Sequence, residues 1–336
     1  MPTKINGLEN FKGTVVHPQF WPSDLDYSNK NVVIIGSGAT AITLLPNLAE
    51  KASHVTMLQR SPGYILSLPN RGDDWVTKYL PNWLSYRINR LKALTIPYLF
   101  FLFCRRFPQQ ARDIVRKRTI PLLPKNIPHD PHFEPTYNPW EQRMCFCPDG
   151  DFYESLNNGK ADIATGKIKA MTDDTVILES GQELKADVIV TATGLKIQLA
   201  GGAKIVIDGE PINIGTKFMW KGIMLQDMPN AAFCIGYTNA SWTLGADAVA
   251  QTVCRLLNNM KKRGDTSFVP RLEDPESLSA QPTLNLNSTY VKEGKDAMPK
   301  AGDKGQWAAR TNYFSDMWQA RFGDVTTGLQ FYRVST

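Results

Sequence analysis

The chain has 336 residues, 42% of them hydrophobic and 21% charged, which is the balance of a soluble globular protein of one large domain or two ordinary ones. Its 38 basic residues exceed 32 acidic ones by six, a surplus that suits a phosphate-bearing cofactor or an acidic membrane surface and is too small to indicate nucleic acid. The five cysteines form no C-x-x-C pair and no disulfide framework, which points to a reducing, cytoplasmic setting.

Met1–Asn10 is polar and has no apolar segment of the kind a secretory signal needs. Met1–Ser28 reads as loop, with turn chemistry at Asn6-Gly7, Pro18 and Pro22. Asn31–Gly36 (NVVIIG) is a β-branched run expected to form a strand buried on both faces. A helix is expected from Ala39 to about Ala52, kinked or weakened at Pro46, and then a second strand over His54–Leu58. Strand, glycine turn, helix and strand make a βαβ unit with a right-handed crossover.

Asp73–Leu123 reads as helical, broken near Pro81, Pro97 and Pro108. It is long for a connection and is expected to be a helical insertion over a site. Its most apolar run, Leu94–Cys104, is too short to span a bilayer and reads first as a buried helix. The cluster Arg105, Arg106, Arg112, Arg116, Lys117 and Arg118 keeps peripheral membrane contact as the alternative. Pro124–Pro139 is proline-rich loop, and His129 and His132 within it lack the spacing of a metal site.

Arg143–Cys147 is expected as a short strand, followed by a turn and a helix ending near Gly159. Ala161–Ala186 reads as a β-meander of three strands, Ala161–Thr165, Ile168–Thr172 and Thr175–Glu179. Asp187–Thr193 is a further buried strand ending at Gly194, and Ala232–Gly236 another. Leu244–Lys261 has the pattern of a helix, and the polar tail from Gly264 is expected to wrap the surface.

The strongest local motif is Gly36-Ser37-Gly38-Ala39-Thr40-Ala41, a G-x-G-x-x-A variant between strand and helix. Gly36 permits the tight turn, Gly38 lets the backbone approach a pyrophosphate, and Ala41 allows close helix–strand packing, with the helix N-terminus supplying donors. NAD-specific folds place an acidic residue after the second strand, whereas this chain has Gln59-Arg60-Ser61. A guanidinium pairs bidentately with a 2′-phosphate and a hydroxyl adds a hydrogen bond, so NADP is expected rather than NAD.

Upstream, Phe11–Pro22 (FKGTVVHPQFWP) resembles the F-x-G-x-x-x-H-x-x-x-W-[P/D] fingerprint of type I Baeyer–Villiger monooxygenases, and less closely the flavin-containing monooxygenases that form N-oxides. The stretches 58–62 (LQRSP), 137–143 (YNPWEQR), 147–156 (CPDGDFYESL) and 236–247 (GYTNASWTLGAD) resemble the family branch that contains the ethionamide-activating monooxygenase of mycobacteria. The resemblance covers nearly the whole chain. It implies an NADPH- and O2-dependent flavoprotein with FAD and NADP as cofactors, oxidising ketones by Baeyer–Villiger chemistry or oxygenating sulfur or nitrogen centres through a C4a-peroxyflavin. It further implies a domain-coupling role for His17 and close approach of the Ala192-Thr193-Gly194 corner to the flavin.

The fold expected is α/β: a Rossmann-like NADP-binding domain (29–190, with its helical insertion at about 73–123) set into the C-terminal remainder of an FAD-binding fold (191–336). Residues 1–28 would be the interdomain linker. Family members begin with a separate FAD fingerprint, and no such motif precedes Phe11. The resemblance therefore implies a fragment lacking a segment on the order of 150 residues, a typical domain. The alternatives are an inactive NADP-binding fragment, or one subunit of a split monooxygenase whose FAD half lies on another chain. The family's arginine that holds the anionic peroxyflavin would fall near Asn157, with Arg143 as a substitute. Tyr137, Trp140 and Trp242 are candidate pocket aromatics.

Overall fold

The computed structural model describes residues 5–70, 75–284 and 294–333, which form two units, Met1–Leu195 and Lys196–Thr336. The first contains strands β1 (Thr14–Val16), β2 (Asn31–Ile35), β3 (His54–Gln59), β4 (Ile65–Leu68), β5 (Cys145–Pro148), β6 (Ala161–Thr165), β7 (Ile168–Met171), β8 (Thr175–Leu178), β9 (Glu183–Lys185) and β10 (Val188–Thr191). Its helices are α1 (Ala39–Ala49), α2 (Trp75–Tyr79), α3 (Asn82–Arg106), α4 (Pro108–Thr119), the single turn α5 (His129–His132) and α6 (Asp151–Asn157).

A five-stranded, all-parallel sheet in the order β1-β10-β2-β3-β6 is the frame. Successive side chains of a strand point to opposite faces, so the unbroken run in β2 has to be covered on both sides. Val32 and Ile34 pack with Ala41, Ile42, Leu45 and Leu48 of α1 and Phe152 and Leu156 of α6. Val33 and Ile35 pack with Val176, Leu178 and Leu184 of the antiparallel meander β7-β8-β9. Each fully buried Val or Ile contributes about 1.5–3 kcal/mol relative to exposure, so a polar residue at Ile34 would undo one layer. Pro46 lies inside α1, where the helix continues past it for three residues.

Several sequence expectations are corrected. Residues 1–28 are not all loop: among the described residues, β1 pairs in parallel with β10, Thr14 opposite Val188, and Thr191 Oγ1 donates to the Val16 carbonyl at 3.2 Å. Ala161–Thr165 is not part of a meander but the edge strand beside β3, because its buried Ala161, Ile163 and Ala164 need cover on both faces. The meander gains β9 instead. The insertion breaks at Pro81 and Pro108 but not at Pro97, which α3 accommodates. The carbonyl of Ala93 that Pro97 leaves unbonded lies on an exposed stretch, where water can satisfy it.

The second unit is built on α7 (Trp242–Arg263), which starts at Ser241, whose side chain accepts from the Thr243 N–H, and ends at Gly264 in a left-handed conformation. Paired with it is α8 (Tyr313–Phe322). Four antiparallel strand pairs accompany them: β11 (Val206–Ile207) with β12 (Glu210–Pro211), β13 (Met219–Trp220) with β14 (Met224–Leu225), β15 (Ser267–Pro270) with β18 (Leu329–Tyr332), and β16 (Gln281–Pro282) with β17 (Lys300–Ala301). The tail beyond Gly264 does not merely wrap a surface. Phe268 and Trp307 are buried with Trp220, Met224 and Leu256, and Trp220 donates to the Thr327 carbonyl at 2.8 Å. Ala232–Gly236 is not in a strand: Phe233 instead donates to the Ile223 carbonyl at 2.7 Å.

Candidate functional site

In a parallel sheet the loops after the strands share one edge, and a crevice opens where connections diverge to either side. Here that point lies between β2 and β10. Five segments chosen or neighbouring those chosen from sequence gather at this edge: His17 after β1, Gly36–Ala41 after β2, Arg60-Ser61 after β3, Gly166 after β6 and Ala192–Gly194 after β10.

Gly36 has φ +136°, and a side chain there would collide with the Ala192 carbonyl. Its N–H donates to the Leu58 carbonyl at 2.8 Å, tying the turn to β3. Gly38 is the N-cap of α1 and makes no side-chain cap. The first bond of the helix runs from Ile42 N–H to the Gly38 carbonyl at 3.1 Å, so the N–H groups of Ala39, Thr40 and Ala41 have no carbonyl within the helix. A Cβ at Gly38 would meet no atom within 4 Å. Open space in front of leftover donors and a helix dipole fits an anionic phosphate. Ala41 is fully buried against the sheet, as its small size requires.

Arg60 and Ser61 are exposed, and Arg60 makes no ion pair among the described residues. The Ser37 hydroxyl donates to the Ser61 carbonyl at 3.1 Å, which fastens this loop to the glycine turn. Gln59 behaves differently. It is 1% exposed, and its amide donates to the His132 carbonyl at 2.7 Å and the Thr165 hydroxyl at 2.9 Å. Its side chain is turned inward as a strut, which corrects the expectation that it faces a cofactor beside the exposed Arg60 and Ser61. Thr165 and His132, bonded to one another at 2.8 Å, are contributors that sequence reasoning missed. The signal was Thr165-Gly166, a glycine directly after a strand as Gly36 is after β2.

The fingerprint divides into packing and projection. Phe11 is buried beneath the meander, and a side chain at Gly13 would collide with its ring and the Asp187 carbonyl. Trp21 packs on the opposite core, edge-on to Tyr27 at 6.0 Å. His17 is half-buried at the crevice edge, its Nδ1 accepting from the Gln19 N–H at 3.2 Å. Across from it, Gly194 has φ +111° and open space around it, and Thr193 is exposed.

Arg143 is exposed two residues before Cys145, whose N–H donates to the Tyr64 carbonyl at 2.9 Å. That places it near the Arg60 loop. Asn157 is at the other edge of the sheet, at the end of α6 leading into β6, and its amide donates to the Leu122 and Tyr153 carbonyls at 2.8 Å each. The expected position of the arginine at 157 is therefore corrected. A Cβ on Gly63 would sit 3.5 Å from the Tyr137 hydroxyl and 3.9 Å from the Ser37 carbonyl, so Tyr137 walls this end of the crevice. Burial pushes the Tyr137 phenol up to about 12, and it stays protonated. Trp140 packs on Phe101 and Phe146. Trp242 opens α7 in the second unit, 49% exposed.

A glycine turn, an open helix N-terminus and an exposed arginine just past the adjoining strand are the marks of a dinucleotide-binding α/β protein. No protein-family model matches the chain. The FAD-containing monooxygenase EthA of Mycobacterium tuberculosis (strain H37Rv) is 43% identical over 333 residues, 98% of this chain and 68% of the relative. EthA of Mycolicibacterium smegmatis is 42% identical over 322 residues, 95% of this chain and 65% of the relative. Among solved structures, an oxidized steroid monooxygenase bound to NADP has a TM-score of 0.68 at 19% identity, with 99% of this chain and 72% of that one covered. The chain belongs to the family of FAD-containing monooxygenases, and it shares its fold with the steroid monooxygenase structure. It spans about two thirds of the length of the curated relatives it matches.

Proposed function

We propose that this chain carries the NADPH site of an FAD- and O2-dependent monooxygenase that acts on a small ketone, sulfide or amine. The observation that carries this reading is the pairing of the open N-terminus of α1 with the exposed Arg60 on one sheet edge. When bound, NADPH would supply hydride and FAD the oxygen-activating chemistry. The chain's own residues bind and orient. Ala39, Thr40 and Ala41 offer N–H donors to the pyrophosphate, and Gly38 leaves room for it. Arg60 and Ser61 take the 2′-phosphate. Toward the flavin the chain offers the bare backbone of Gly194 beside Thr193, with His17 coupling the two cofactor sites and Arg143 as the cation near the crevice. On this reading 29–190 is the NADP-binding domain, and 191–336 belongs to the FAD-binding domain.

Titrating the purified chain with NADPH and NADH, followed by calorimetry, tests this without any turnover. NADPH is expected to bind at least about tenfold more tightly, and Arg60→Asp to abolish that preference. An unchanged preference in the variant would remove the assignment.

A further inference from the structure

The helical insertion packs on the β4-β5 pair, where Phe100 and Val115 meet Leu66 and Met144. Its run Leu94–Cys104, expected as a buried helix, is buried only at Cys104, which corrects that expectation. Beneath it β4 and β5 run parallel, Ile65 opposite Cys145 and Leu66 opposite Phe146. Carried back two residues, this register sets Arg143 beside Gly63.

Side chains alternate along a strand, and those of β5 divide between two cores. Met144 is buried with Tyr64, Leu66 and Val115 on the insertion side. Cys145 and Cys147 belong to the other side, with Ala41, Ile42 and Leu45 of α1. Arg143 shares the parity of Cys145, and the thiol registers it. Burial pushes the Cys145 thiol up, and the Arg143 guanidinium draws it part of the way back.

Gly63 in turn adjoins the glycine turn. A Cβ on it would sit 3.9 Å from the Ser37 carbonyl, next to Gly38, the N-cap of α1. No side chain on Gly63 stands between Arg143 and the open space before Gly38. The charge of Arg143 is also unspent, since it is exposed and makes no ion pair among the described residues. Glu141 is bonded instead to the Asn138 N–H at 3.0 Å and the Asn138 amide at 2.8 Å, and Tyr137 stays protonated.

The N-terminus of α1 brings the equivalent of about half a positive charge. A dinucleotide pyrophosphate carries a negative charge on each of its phosphates, and Arg60 is taken up by the 2′-phosphate. We propose that Arg143 is the second cation of the nucleotide site, its guanidinium closing over the pyrophosphate from the β4-β5 side, opposite the N–H donors of α1. This role rests on the NADPH reading above and gives the cation near the crevice a partner.

Titration of the purified chain with NADPH, NADH and 2′-AMP separates the two arginines, since 2′-AMP lacks the pyrophosphate. Arg143→Ala is expected to weaken NADPH and NADH alike, by about tenfold each, and to leave 2′-AMP unchanged. Arg60→Ala is expected to weaken NADPH and 2′-AMP and to spare NADH. Arg143→Lys is expected to recover part of the affinity. Arg143→Ala is also expected to flatten the salt dependence of NADPH binding, which a merely structural arginine would leave alone. Unchanged NADPH affinity in Arg143→Ala would overturn the proposal. So would a loss confined to NADPH and 2′-AMP, which would make Arg143 a reader of the 2′-phosphate, or an equal loss of all three ligands, which would mark a defect of folding. A parent chain that binds none of the three removes the NADPH reading itself; a parent that binds them beside an indifferent Arg143→Ala removes this role alone.

Discussion

Gly36 and Ala192 touch across the crevice, and the contact leaves no room for a side chain on Gly36. The two residues follow neighbouring strands, β2 and β10, so the closeness of those strand ends sets the floor of the proposed dinucleotide site. A second glycine two positions on, Gly38, has the opposite surroundings, open on all sides a Cβ could meet.

The contrast makes a paired prediction. Gly36→Ala is expected to cost about 1–3 kcal/mol of stability, from the clash and from a φ that alanine rarely adopts, and to abolish NADPH binding. Gly38→Ala is expected to change stability by no more than about 1 kcal/mol yet weaken NADPH substantially. Urea unfolding and nucleotide titration of both variants check it; equal stability losses would contradict the separation.

Gln59 and Arg60 are adjacent with different duties. Gln59→Ala is expected to lose roughly 1–3 kcal/mol of stability, since it leaves the His132 carbonyl without its donor and removes one bond to the Thr165 hydroxyl. Near-native NADPH affinity should remain in the folded fraction. Arg60→Ala should do the reverse, and a loss of stability there would show that the guanidinium has a structural partner.

The fingerprint glycine is expected to act through packing. Gly13→Ala forces the Phe11 ring and the β10 entrance apart and should cost about 1–3 kcal/mol, as overpacking does. His17→Gln should leave the unfolding midpoint within about 1 kcal/mol, because only a local turn bond is altered.

Stability is also expected to fall in mild acid. Burial holds the His129 and His132 imidazoles below their usual value, for His129 with Arg116 adding to the effect. The unfolded chain binds those protons at about pH 6.5, so stability is full above that value and is lost as pH falls from there through the lower folded values. Urea midpoints from pH 7.5 to 5.5 should decline, and less steeply in His132→Gln. A flat profile would mean that neither ring is held neutral.

The β2-α1-β3 unit was legible because an unbroken β-branched run, a glycine turn and an apolar helix stripe all point to one structure. Less legible was β1, three residues long between Gly13 and Pro18, which only pairing with β10 turns into a strand. Strand β6 reads alike as meander or parallel edge, since alternation does not say which neighbour a strand takes. The candidate site was legible as a set of residues but not in its directions. Whether Gln59 turns in or out is decided by His132 and Thr165, 73 and 106 positions away. Asn157 lies at the other edge because α6 ends there before the turn into β6, and residue spacing alone does not say at which edge a helix ends.

Phe11, Gly13 and Trp21 are fixed by two cores on opposite faces of one sheet, and only His17 of the fingerprint reaches the crevice. Searching genomes with this motif therefore selects first for chains that can build this sheet edge, whatever their chemistry. A homologue that kept the three packing residues and lost the histidine would still fold there, and would be the natural comparison for the role proposed for His17.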